Sequence, residues 1–61
     1  MKSPEDELLE SFKKDPMILS LMKQGNLGKV AKLATSVGTA GSSPELRKYG
    51  KQLWDESQDK N

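Results

Sequence analysis

The chain has 61 residues, with 10 Lys+Arg against 9 Asp+Glu, no His and no Cys, which bounds it at one small domain. Disulfides are excluded, and with them the usual zinc sites, a Cys nucleophile and any nucleophile that needs a His base. No apolar run exceeds three residues, which excludes a membrane-spanning helix and leaves no apolar leader after Met1.

A chain this short buries only about 60% of the surface its unfolded form exposes. Leu, Ile, Val and Phe number 12 of 61, close to the ~20% level at which disorder sets in. The net charge of +1 is too small to drive unfolding. The expectation is order maintained by helix packing, self-association or a partner.

Ser3-Pro4-Glu5-Asp6-Glu7 reads as a helix start: Ser3 caps, Pro4 suits the first position, and the acids oppose the positive end of the dipole. Leu8, Leu9 and Phe12 follow at helical spacing, and Asp15-Pro16 ends this helix near Lys14 while opening the next. The second helix is expected over 16–24, with Ile18, Leu21 and Met22 on one face widened by Met17 and Leu19, and Gly25 as its stop. Asn26 is placed to cap a third helix, in which Leu27, Val30, Ala31, Ala34 and Val37 keep the 3.6-residue period up to a stop at Gly38. Residues 38–42 read as a flexible connection, and Ser43-Pro44-Glu45 repeats the opening signal. A fourth helix then sets Leu46, Tyr49, Gly50, Leu53 and Trp54 on one face. Gly50 implies close approach by another backbone, since it costs about 1 kcal/mol inside a helix. Residues 57–61 carry no apolar side chain and are expected to fray, which leaves 1–56 as the domain. No alternating run supports a strand. The fold class is all-α: three to four short helices in a compact bundle or helical-hairpin array.

The chemistry is equally bounded. Glu7 with Glu10 and Asp55 with Glu56 read as solvated helix ends, because a raised carboxylate pKa needs burial that so small a chain hardly supplies. Residues 38–43 precede a helix start but lack the lysine of a phosphate-binding loop. Residues 16–33 carry Lys23, Lys29 and Lys32, but Gly25 and Gly28 break them as a membrane-surface helix. No enzyme activity, metal or cofactor is expected, and a cytoplasmic location is the default.

The +1 total conceals a pattern. Residues 1–15 hold five acids against three lysines, residues 16–44 hold three lysines and no acid, and residues 45–61 hold four of each sign. This suits a basic face turned to an acidic partner, with the acidic N-terminus open to a self-complementary contact. The reading is a small non-catalytic protein-interaction module (an adaptor, inhibitor or regulatory subunit) that docks on a larger protein or forms a homodimer. Leu46, Tyr49, Leu53 and Trp54 supply the apolar contact, with Arg47, Lys48 and Lys51 as rim charges. The alternative is a helix-turn-helix-like DNA-binding regulator over residues 27–56, carrying Arg47, Lys48 and Lys51 toward a groove. Its connection exceeds the usual three or four residues, and Pro44 stands where a recognition helix normally has an apolar side chain.

Overall fold

Cap chemistry sets the helix boundaries. The computed structural model describes residues 4–59 and holds α1 (Pro4–Lys14), α2 (Pro16–Lys23), α3 (Leu27–Ala40) and α4 (Pro44–Gln58), with no strand among the described residues. The all-α bundle expected from the sequence is what forms. The Ser3 cap and residues 60–61 of the tail lie outside the described residues. Asp15 accepts the Met17 N–H at 2.8 Å and opens α2. Ser43, fully buried, accepts the Leu46 N–H at 3.2 Å and opens α4. Asn26 precedes α3 as expected, but its side chain makes no capping hydrogen bond.

The helix ends depart from expectation in an instructive way. α2 closes as predicted: Gly25, at φ 76°, donates its N–H to Met22 O at 3.0 Å, and Asn26 N–H donates to Leu21 O at 2.9 Å. α3 does not stop at Gly38. It runs to Ala40, and Ser42, at φ 53°, takes the left-handed position. Ser42 N–H donates to Thr39 O at 3.2 Å and Ser43 N–H to Gly38 O at 2.7 Å, the same closing pattern with serine in the glycine's place. Residues 38–42 are therefore no flexible connection: the first three are helical and the rest are hydrogen-bonded into a tight turn. α4 continues to Gln58, two residues past the expected boundary, with Ser57 Oγ donating to Trp54 O at 2.8 Å.

The two turns make opposite predictions. Ser42→Gly relieves the left-handed cost of a residue with a Cβ, partly offset by the freer unfolded chain, and should raise stability by roughly 0.5 kcal/mol. Gly25→Ala meets no atom within 4 Å, so its loss of about 1 kcal/mol is purely backbone. Urea midpoints at unchanged slope check both.

All four helices feed one core: Phe12 from α1, Ile18 from α2, Val30, Ala31 and Ala34 from α3, and Leu46 and Leu53 from α4. Met17 and Leu19 do not widen this core; they are 58% and 48% exposed. α3 and α4 form the backbone of the fold as an antiparallel hairpin. Gly38 lies against Arg47, Ala31 and Thr35 against Gly50, and Gly28 against Trp54. The Gly50 expectation holds: a Cβ there would stand 2.6 Å from Thr35 Oγ1 and 3.0 Å from both Ala31 O and Thr35 N. Gly38 plays the matching part, since a Cβ on it would stand 2.9 Å from Arg47 N. α1 packs on α4 and α2 on α3. No helix of the described residues is long and apolar enough to cross a membrane.

Candidate protein-interaction surface

Helical geometry sorts the α4 side chains by the neighbour they meet. Leu46 and Leu53 point into the core and are fully or almost fully buried, so no partner side chain reaches them. Tyr49 lies on the flank toward α1. Its ring meets Phe12 edge-on with centroids 6.4 Å apart, and Lys13 Nζ stands 4.8 Å from the ring centroid. Of the seven residues expected to contact a partner, Leu46, Tyr49 and Leu53 therefore hold the bundle together. Arg47, Lys48, Lys51 and Trp54 remain exposed.

Burial raises the Tyr49 pKa above its ordinary value, and the Glu56 carboxylate adds to the rise. The unfolded chain then loses its phenolic proton first as pH climbs. Tyr49 contributes stability that is whole below about pH 10 and is lost as pH rises through the folded value. Phenolate absorbance follows this directly, because the chain has one tyrosine. Native protein should titrate above denatured protein, and Tyr49→Phe should remove this part of the alkaline loss of stability.

The opposite flank of α4 faces an open groove of about 550 Å³ shared with α3. Ala31 and Gly50 form its floor, at one of the close approaches of the two helices. Lys32, Thr35 and Ser36 line it from α3, and Lys51 and Trp54 from α4. Thr35 donates its hydroxyl back to Ala31 O at 3.0 Å, so it stays on its own helix. Trp54 is 41% exposed, and Lys32 Nζ stands 5.9 Å from the indole centroid. The indole lies alongside the first turn of α3, with room for a Cβ on Gly28 at 3.8 Å from Cζ3.

The groove thus combines a part-exposed indole, a floor of small residues and two ammonium groups, with no carboxylate among the described residues that line it. Beyond Trp54 the sign reverses: Asp55, Glu56 and Asp59 edge a separate shallow depression at the end of α4. Lys32, Thr35 and Ser36 are the residues that sequence reasoning missed. They sit with Gly28 and Thr39 on one polar flank of α3, whose pairing with Trp54 depends on the α3/α4 register. Comparison with protein-family models, with curated proteins and with solved structures gives no match.

Proposed function

We propose that this chain is a small non-catalytic protein-interaction module, a cytoplasmic adaptor, inhibitor or regulatory subunit, that binds through the open α3/α4 face. The observation that carries the reading is Trp54, large and 41% exposed, set beside Lys32 and Lys51 over a floor of small residues. A part-exposed indole at the edge of a concave surface suits an interface anchor, and surrounding cations steer an acidic partner and fix its register.

Hairpin geometry supports this reading over duplex recognition. The α3/α4 connection is three residues, short enough for a helix-turn-helix, but the two helices lie antiparallel instead of crossing at about 90–120°. A long polyanion laid along α4 would also meet Asp55, Glu56 and Asp59 directly after the basic turns.

A photo-crosslinking side chain at position 51 tests the surface, with position 23 on α2 as the control. Covalent adducts to protein should form from position 51 and not from position 23. Adducts from neither, or equally from both, overturn the reading, and adducts to nucleic acid from position 51 favour the DNA-binding alternative.

A further inference from the structure

The order of charges along α4 runs against the interests of the isolated helix. Acids belong near a helix N-terminus and bases near its C-terminus, where they oppose the dipole. Glu45 obeys this rule, but the last turn of α4 carries no base. Arg47, Lys48 and Lys51 fill the first half, while Asp55 and Glu56 stand in the second and Asp59 at its C-cap, all of them exposed. Lys51 and Asp55 are also spaced i,i+4 with the base first, the weaker orientation for a pair within one helix.

Four of these residues, Arg47, Lys51, Asp55 and Asp59, recur every fourth position and form one slowly winding stripe. The stripe reads basic, basic, acidic, acidic. Set against itself in antiparallel, it is complementary at every position: Arg47 meets Asp59 of a second copy and Lys51 meets Asp55, both about a centre at residue 53. Self-complementarity about such a centre is what a two-fold interface requires. Trp54 lies about a quarter turn around the helix from the middle of the stripe, on the flank toward α3, so the two indoles fall on opposite sides of the axis, each bordering its own α3/α4 groove. The ion pairs lie between them.

We infer that the occupant of this face is a second copy of the chain, docked with α4 antiparallel to α4 about a two-fold axis near residue 53. The inference rests on the proposed interaction surface extending from the α3/α4 groove over the exposed side of α4, and it names the partner. A different protein would have to supply the opposite charge order by chance, whereas a second copy carries it by construction. A standard interface takes about 800 Å² per partner, roughly a fifth of this molecule's 4374 Å² surface.

Charge swapping across the axis tests it. Wild type should sediment as a dimer with a dissociation constant on the order of 10 µM or tighter, weakened by high salt. Lys51→Glu places two carboxylates together at both symmetry-related positions, and Asp55→Lys does the same with ammonium groups. Each should weaken the dimer by about tenfold or more, and the double variant K51E/D55K should restore it to within about threefold. Circular dichroism at dilute concentration confirms that each variant is helical. A wild type that stays monomeric at about 200 µM, single variants that dimerise normally, or a double variant that is not rescued would each overturn the inference. A monomer that still forms protein adducts from position 51 overturns the dimer alone; a monomer without them overturns the interaction reading as well.

Discussion

Replacing Gly50 by alanine should lower the melting temperature by about 10 °C, whereas replacing Gly28 by alanine should raise it by about 3 °C. Both glycines are helical, and propensity alone favours alanine at each by up to about 1 kcal/mol. The surroundings decide the sign. At Gly28 the added methyl meets only Trp54 Cζ3 at 3.8 Å, an ordinary contact. At Gly50 it would stand 2.6 Å from Thr35 Oγ1 and 3.0 Å from Ala31 O and Thr35 N. The Thr35 side chain is stiff and its hydroxyl is bonded to that same Ala31 carbonyl. The other two atoms are backbone, so relief requires α3 and α4 to move apart. Overpacking of this kind costs roughly 1–3 kcal/mol, more than the propensity gain. Against the roughly 0.05–0.15 kcal/mol per residue that domains possess, this is a large fraction of the whole. Adding Thr35→Ala to Gly50→Ala removes the shortest contact and should recover part of the loss, a coupling that a double-mutant cycle measures. Equal effects of alanine at positions 28 and 50 would show that the helices do not cross at Gly50.

The features legible in the sequence were those set by local chemistry. Asp15-Pro16 and Ser43-Pro44 announce helix starts because a cap needs only its own side chain and the next two or three N–H groups. Gly25 announces an end for the same kind of reason. Gly38 misled because glycine serves two purposes, a left-handed turn or a close helix contact, and only the position of Arg47 decides between them. If Gly38 were the stop, no residue after it would need the left-handed conformation that Ser42 adopts, and the connection to α4 would be longer than its three residues. The candidate site was half legible. Trp54 and Lys51 lie on α4, whose aromatic and basic pattern is visible locally, but Lys32, Thr35 and Ser36 belong to α3. Their meeting with Trp54 is a matter of register between helices, which no local pattern specifies.

Leu46→Ala should cost about 3 kcal/mol and leave much of the chain unfolded at room temperature, while Trp54→Ala should shift the urea midpoint far less and keep the helical signal. The pair matters because the two side chains share one apolar stripe in the sequence, two turns apart, and burial divides them. Leu46 is 0% exposed. It packs in the core cluster that joins all four helices, directly after the buried Ser43 cap to which its own N–H is bonded. Truncation there removes buried methylene groups and leaves a cavity that short helices fill only by losing their mutual register. Trp54 is 41% exposed over the open groove, and beside it on α3 lie Gly28 and the Lys32 ammonium. Its loss uncovers little that the fold depends on. Urea denaturation of the two variants at equal, dilute concentration separates the roles, because dilution removes any stability that self-association lends. If Trp54→Ala proved as destabilising as Leu46→Ala in the dilute monomer, the indole would be a core residue. The open face of α3/α4 would then lose the side chain that makes it a binding surface.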